Sequence, residues 1–281
     1  MIKLKSIENR NYIRRNVILI LLLILMIVVI SLLAPYLVPN DPYETNALYR
    51  KGAPNLNYFF GTDKLGRCIF SRVIMGTRTS VFSALLVVTV SLTTGTVLGV
   101  LAGYYGGFLD RVVTGICDIF LAFPQMILAI GVAGLMGGTM TNAILALALT
   151  GWTTYARLSR GLVMALKNEA YISAARLSGS TGLEIMVEHI LPGMAGELIV
   201  NASLQISSVM IGFAGLSYLG LGVLVPEAEW GSMISEAVGY MQQAPWAVMA
   251  PGAALFITVL LFQLLGDSLR DYFGVGRGGY E

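Results

Sequence analysis

Polar side chains recur along one stretch of this sequence that is otherwise apolar. Asn201, Gln205 and Ser208 are separated by four and three residues, so a helix would carry them on one face. In apolar surroundings, amide and hydroxyl groups either line a water-filled path or hydrogen-bond to neighbouring helices. The spacing therefore indicates either the passage of a polar solute or polar packing between helices, and both interpretations stay open.

Asp118 is the one acidic residue inside the interval 112–156. A carboxylate at the centre of a bilayer costs about 3 kcal/mol on insertion scales, so such residues are rare and often functional. Asp118 is therefore a candidate residue of a translocation path or a gate. The alternative is a structural hydrogen bond, at a helix end or between helices, to a partner such as Thr114 or a backbone group.

No pattern for bond-making chemistry accompanies these residues. An intramembrane enzyme would need paired acids, a histidine cluster or a serine with a base, and the P-loop, HExxH, GxSxG and Rossmann signatures are missing from the sequence. His189 is the one histidine and has no companion ligand at metal-site spacing, while Cys68 and Cys117 fit free thiols. We expect no catalytic residue, no metal site, no cofactor bound by this chain and no nucleic-acid partner.

Membrane-spanning helices are the elements that would position these residues. With 56% hydrophobic residues, 12% charged residues and a mean hydropathy of +0.75, the chain falls outside the range of ordinary soluble proteins. A bilayer span needs about 20 apolar residues, and the long intervals with at most one charged residue provide six such helices. The intervals are 17–33, 79–109, 112–156 (two helices), 198–226 and 237–266. The sequence predicts an all-α membrane protein with six transmembrane helices; a cleavable signal peptide is the alternative for the first.

Basic residues near the helix ends predict the orientation. Five of them precede the first helix: Lys3, Lys5, Arg10, Arg14 and Arg15. By the positive-inside rule the N-terminus is cytoplasmic, and six crossings return the C-terminus to the same side. The segment 35–78 is basic although this topology places it outside, which the rule allows for long translocated loops. We expect a multi-pass protein of the cell membrane.

The chain divides near residue 80. Residues 1–78 would form an N-terminal transmembrane helix and an extracytoplasmic segment, and residues 79–281 a five-helix core with a cytoplasmic loop at about 157–197. Glycines recur in the second helix, mostly at four-residue intervals: Gly95, Gly99, Gly103, Gly106 and Gly107. This pattern predicts close packing against another helix, because small residues let two backbones approach.

The long loop reads as two short helices joined at a corner. Residues 168–177 form an amphipathic pattern with Ala170, Ala174 and Leu177 on one stripe. Gly179 suits a left-handed cap, and the second helix, 182–190, is expected to stop at Pro192. Such a compact knob could dock in a groove of a soluble partner. A plain surface hairpin between two spans is the alternative.

The loop also resembles the EAA loop of binding-protein-dependent ABC importers. The family pattern is Glu-Ala-Ala, three residues, Gly, nine residues and Ile-x-Leu-Pro, and the spacing is the same here. The matching positions are Ser173, Ala174, Ala175, Gly179, His189, Leu191 and Pro192. Ser173 departs from the family Glu and His189 from the family Ile. The resemblance implies that this loop contacts an ATPase subunit and receives mechanical work from it.

A second set of motifs resembles the C-type subunit of the oligopeptide, dipeptide and nickel permease group. The matches include 61–72, 76–80, Asp118 with 122–124, 217–222, 229–231 and 266–271. The resemblance implies a type I ABC importer permease fold and no enzymatic activity. It further implies a heterodimer with a second permease, two ATPase subunits that carry ATP and Mg²⁺, and an extracytoplasmic solute-binding protein. Candidate residues for docking that binding protein are Asp63, Arg67, Arg72, Glu227, Glu229 and Trp230.

Three details of the sequence look more like the nickel and metallophore branch of the group. They lie at 176–179, 214–217 and 228–231. We therefore expect nickel or a metal chelate as the cargo, with import of di- or oligopeptides as the alternative.

Overall fold

The computed structural model describes residues 2–274, with side chains from residue 13 onward. The helices are α1 Ile2–Leu37, α2 Ile69–Tyr105, α3 Gly107–Leu121, α4 Gln125–Met136, α5 Met140–Leu166, α6 Ala170–Leu177, α7 Gly182–Glu184, α8 Leu191–Tyr218, α9 Trp230–Val238 and α10 Trp246–Phe273. A 3₁₀ turn, Ala47–Tyr49, lies in the connecting segment (residues 38–68), and a π-helical stretch, Ile185–Ile190, joins α7 to α8. The side chains of Lys3, Lys5 and Arg10, and the C-terminus, lie outside the described residues.

Four helices in the described part of the chain are long and apolar enough to cross a membrane. They are Ile13–Leu37, Ile69–Tyr105, Gly182–Tyr218 and Trp246–Phe273. The pair α3 and α4 adds a fifth if the two are taken as one broken span. The predicted all-helical fold is confirmed, whereas the count of six spans is not. α5 falls short because Arg157, Arg160 and several threonines dilute its apolar residues.

The region of the third and fourth predicted helices differs from the expected pair of straight spans. α3 and α4 meet at an angle of 90° across residues 122–124. Pro124 is the N-cap of α4, and proline disfavours helical backbone at the preceding Phe123. A turn with φ of +87° at Gly137 ends α4. Thr139 then caps α5 by accepting a hydrogen bond from the backbone N–H of Asn142.

Close packing between α2 and α5 holds the centre of the bundle. A Cβ placed on Gly95 would lie 2.3 Å from the carbonyl oxygen of Trp152, and one on Gly99 would lie 2.3 Å from that of Ala156. At Gly103 the corresponding distance, to the carbonyl oxygen of Arg160, is 3.0 Å. The predicted role of these glycines is therefore confirmed for three of the five.

Gly106 and Gly107 serve a different purpose. Their φ angles are +67° and +62°, and a Cβ on either would meet no atom within 4 Å. They form the left-handed corner between α2 and α3, which L-residues adopt at a cost. The expectation that they continue the packing face is wrong, because the helix has already ended at Tyr105.

The expected stop at Pro192 is also wrong. Pro192 occupies one of the first two positions of α8, and helical backbone runs without interruption from Gly182 to Tyr218. Proline is tolerated in a first helical turn, where its missing N–H would have no intrahelical acceptor. The π-helical stretch just before it widens the turn at the junction. One rigid element therefore joins the long loop to the bundle.

Candidate functional site

The long loop is built on α6, which is anchored by one buried side chain. Ile172 is fully buried, whereas Leu177 at the end of the helix is 90% exposed. The predicted stripe of Ala170, Ala174 and Leu177 lies on the exposed side of this helix. The side that faces the bundle is set by Ile172 and the half-buried Ala175.

Gly179 forms the corner after α6. Its φ is +92°, and a Cβ there would meet no atom within 4 Å. The N–H of Ser180 donates to the carbonyl of Ala175 at 3.1 Å, which satisfies a free carbonyl at the helix end. Thr181 then caps α7 in a capping box with Glu184. The corner is thus shaped by its own backbone and leaves the surface around Gly179 open.

The loop is braced against the end of α2. The guanidinium of Arg176 lies 5.7 Å from the ring centroid of Tyr104. A Cβ on Gly182 would lie 3.2 Å from the same ring, and Lys167 donates to the carbonyl of Gly103 at 2.9 Å. A displacement of this loop would therefore be transmitted to α2 as well as to α8.

Most residues of the predicted coupling loop lie at the surface. Ser173, Ala174, Gly179 and Pro192 are exposed. The remaining three are partly exposed: Ala175, His189 and Leu191. Their predicted role stays a prediction.

Sequence reasoning missed an apolar rim beside Gly179. Leu177, Leu183 and Val187 are 90%, 67% and 52% exposed. Leu183 and Val187 are four residues apart, and this spacing could have indicated a common face. We call Leu177, Leu183 and Val187 the apolar rim; together with the open corner they form a surface suited to a soluble partner.

The polar face of α8 opens onto a half-open cavity of 180 Å³ between α4, α5 and α8. Gln205 and Ser208 line it, and Gln125 joins them from the first turn of α4. Sequence reasoning missed Gln125, although its place directly after the break at Pro124 was a signal. Asn201 is not among the lining residues and donates to the carbonyl of Glu197 at 2.9 Å.

Asp118 lies apart from this cavity. Its carboxylate pairs with the guanidinium of Arg157 on α5, and both side chains are more than half exposed. A second pair joins the same two helices, since Arg160 donates to Asp110 at 2.8 Å. The geometry fits the interhelical hydrogen bond considered for Asp118, but the partner is Arg157. The hydroxyl of Thr114, the partner considered from the sequence, donates to the carboxylate of Asp110 at 3.3 Å.

At the opposite end of the bundle, a buried ionic network joins the connecting segment to α9. Arg67 is 1% exposed and donates to Asp63 and, at 2.7 Å, to Glu236. Arg72 is equally buried and donates to the carbonyls of Pro42 and Pro226, at 3.2 and 3.1 Å. Moving the segment away from the helices would leave a buried guanidinium without partners, at a high cost in free energy. The network therefore holds the segment against the helices.

Glu229 and Trp230 complete this buried region. The carboxylate of Glu229 caps α9 by accepting from the N–H groups of Gly231 and Ser232, both at 2.8 Å. Burial raises the pKa of Glu229 above its ordinary value, against the lowering effect of these hydrogen bonds. The indole of Trp230 donates to the carbonyl of Val73 at 3.0 Å.

The residues expected to dock a binding protein are therefore mostly out of its reach. Five of the six are buried within the chain: Asp63, Arg67, Arg72, Glu229 and Trp230. Glu227 alone of the six is exposed. Direct contact through the five is corrected to a structural role, since their charged and polar atoms are used to hold the connecting segment, α2 and α9 together.

Comparison with known sequences identifies the family. Residues 95–275 match the family described as binding-protein-dependent transport system inner membrane component. The chain is 42% identical to a dipeptide transport system permease of Haemophilus influenzae, over 86% of this chain and 84% of that protein. It is 43% identical to a glutathione transport system permease of Pectobacterium atrosepticum, over 86% of this chain and 81% of that protein. It is 40% identical to a nickel transport system permease of Escherichia coli K12, over 86% of this chain and 88% of that protein.

A solved structure agrees with the fold. The inward-facing MetNI methionine ABC transporter matches with a TM-score of 0.61 and 20% identity, over 73% of this chain and 97% of that chain. At this level of identity the likeness concerns the fold, and it confirms the predicted type I ABC importer permease architecture. The chain belongs to the binding-protein-dependent transport system inner membrane components, as a C-type permease subunit of the oligopeptide, dipeptide and nickel group.

Proposed function

We propose that this permease forms the translocation path together with a second permease and is driven through the loop at α6 by two ATPase subunits that bind ATP and Mg²⁺. The end of the bundle that carries α6 then faces the cytoplasm, as do both termini. An extracytoplasmic solute-binding protein delivers the cargo at the connecting-segment end, where Glu227 is exposed. Support comes from the open corner at Gly179, the apolar rim and the resemblance of the loop to that of ABC importers.

The observation that carries the proposal is the continuity of the helix from Gly182 to Tyr218. This element begins at the corner after Gly179 and carries Gln205 and Ser208 on its other half. At about 1.5 Å per residue, Gln205 lies roughly 35 Å from Gly182 along the helix. A displacement of the loop by the ATPases would thus reach the cavity without an intervening hinge. Alternating access is a shift between two packings of such rigid elements.

The cargo that fits the cavity best is a short peptide. Gln125 and Gln205 each offer an N–H donor and a carbonyl acceptor, and the hydroxyl of Ser208 offers both functions. These groups match peptide amides, whereas imidazole is the side-chain ligand that suits bare nickel. Two of the three relatives reported above are named for peptides and one for nickel. We therefore place peptide import ahead of the nickel or metal-chelate cargo that the sequence favours.

Replacing Gln205 by leucine is expected to lower dipeptide uptake about five- to tenfold, because one hydrogen bond to the cargo is worth about 1–1.5 kcal/mol. The measurement is uptake of a labelled dipeptide and of radioactive nickel by a deletion strain that carries the wild-type or variant gene. The matched control is Asn201→Leu, an amide on the same helix that does not line the cavity. Nickel uptake restored without dipeptide uptake would reverse the choice of cargo, and equal losses in both variants would remove Gln205 from the path.

A further inference from the structure

The cavity beside α8 is polar at its mouth and apolar at its floor. Gln125 and Ser208 are exposed and Gln205 is half-buried, so their amide and hydroxyl groups mark the open side. Leu147 and Val209 are 4% and 3% exposed and close the inner side. The cavity therefore presents hydrogen-bonding groups at its entrance and an apolar surface behind them.

The size of this cavity matches one side chain better than a whole peptide. Its volume is 180 Å³. Pockets that enclose a complete small-molecule ligand measure about 300–1,000 Å³, whereas an apolar cavity of about 150 Å³ holds one benzene ring. The cavity therefore has room for a side chain of up to about the size of phenylalanine.

The lining of the cavity favours an uncharged side chain. All seven residues that line it in the described part of the chain are uncharged. A charged group placed against Leu147 and Val209 would lose its hydration without gaining a counter-ion, which is costly. An apolar side chain loses nothing there and gains from leaving water.

Gly212 keeps part of the cavity free. With Gln205, Ser208 and Val209 it follows the spacing of residues that share one face of a helix, and all four line the cavity. A Cβ on Gly212 would have a single neighbour within 4 Å, the Cδ2 of Leu147 at 3.4 Å. Because this is an ordinary contact distance, a small side chain at this position would reduce the cavity without breaking a packed contact between helices.

We infer that the cavity receives one apolar side chain of the transported peptide, while Gln125 and Ser208 hold the peptide backbone at the mouth. Gly212 and Met126, which also lines the cavity, set the largest side chain that is admitted. This inference rests on the proposed peptide cargo and adds a limit on side-chain size to it.

Uptake of three labelled dipeptides, Ala-Ala, Ala-Phe and Ala-Trp, by a deletion strain that carries the wild-type or a variant gene tests this limit. The binding protein is the same in every strain, so a change in the ratio between two peptides arises in the permease. Gly212→Val is expected to lower the ratio of Ala-Phe to Ala-Ala uptake about tenfold, and Gly212→Ala to lower it by less. Met126→Ala, which widens the cavity, is expected to raise the ratio of Ala-Trp to Ala-Phe uptake severalfold. A misfolded chain could not produce such a gain.

Gly252→Val is the matched control. Gly252 lies on α10, does not line the cavity and has no atom within 4 Å of its ideal Cβ, so both ratios should equal those of the wild-type strain. If the wild-type strain imports the peptides and neither ratio changes in Gly212→Val and Met126→Ala, the size limit is overturned while peptide import stands. A wild-type strain that imports none of the three peptides would overturn the proposed cargo, and the side-chain pocket with it.

Discussion

Replacing Gly179 by leucine is expected to lower cargo uptake about tenfold while the assembled transporter continues to hydrolyse ATP. The φ of +92° at this corner strains any L-residue, at a cost of about 1–2 kcal/mol. No atom lies within 4 Å of an ideal Cβ at this position, so the corner has open space for the start of a side chain. The protein should therefore fold and insert, and the defect should arise where the corner meets the ATPase. Uptake and ATP hydrolysis are measured side by side in proteoliposomes.

Gly220→Leu provides the matched control for that experiment. Its φ is +78°, no atom lies within 4 Å of an ideal Cβ there, and it closes α8 with the same backbone hydrogen-bond pattern that Gly179 forms after α6. It lies at the opposite end of α8 from the loop, so the proposed ATPase contact is absent. Unchanged uptake in Gly179→Leu, or equal losses in the two variants, would show that the corner does not transmit work.

Gly99→Leu is expected to prevent accumulation of the folded chain in the membrane. A Cβ on Gly99 would lie 2.3 Å from the carbonyl oxygen of Ala156, a backbone atom that cannot turn aside. Separating α2 from α5 to relieve this clash would open the packed centre of the bundle, at a cost of about 3 kcal/mol or more. The measurement is the amount of chain in membranes and the unfolding temperature of the detergent-solubilised complex.

The control for Gly99 is a glycine of the neighbouring helix. Gly161 on α5 has no atom within 4 Å of its ideal Cβ, so Gly161→Leu should leave the unfolding temperature nearly unchanged. If Gly99→Leu accumulates and unfolds like the wild-type protein, the close contact between α2 and α5 is not what holds the bundle together.

Features of this protein that depend on nearby residues could be predicted from its sequence. The left-handed corner at Gly179, the turn at Gly137 and the cap at Thr181 follow from the backbone preferences of the residues themselves. The regular spacing of Gly95 and Gly99 likewise indicated a packed helix face, because a four-residue period returns to the same side of a helix.

Features that depend on distant partners could not be predicted. Arg67 and Arg72 read as exposed charges of a basic loop, whereas distant partners, Glu236 and the carbonyl of Pro226, help to make their burial possible. Asp118 appeared to be a lone acid because Arg157 is 39 residues away in the chain. Local preference also failed at Pro192, where the sequence could not show that the helix passes through the proline in its first turn.

The lining of the cavity between α4, α5 and α8 was predicted in part. The spacing of Gln205 and Ser208 correctly placed them on one face, and both line this cavity. Asn201 shares the spacing but bonds to its own helix, and Gln125 comes from a different one. A periodic pattern shows which residues share one face of a helix. Which of them line a cavity depends on how the neighbouring helices cross.

Cross-linking of a single introduced cysteine tests the central claim most directly, namely that the loop at α6 contacts the ATPase. Leu177→Cys places the thiol at the tip of the apolar rim, where the native side chain is 90% exposed. Leu48→Cys, at a position 91% exposed in the connecting segment, is the control at the other end of the bundle. The native Cys68 and Cys117 are buried and should give little background. We expect a maleimide–benzophenone reagent, attached to the introduced thiol and then photoactivated, to join Leu177→Cys, but not Leu48→Cys, to an ATPase subunit in the intact transporter. A cross-link from Leu48→Cys, or none from Leu177→Cys, would contradict this account.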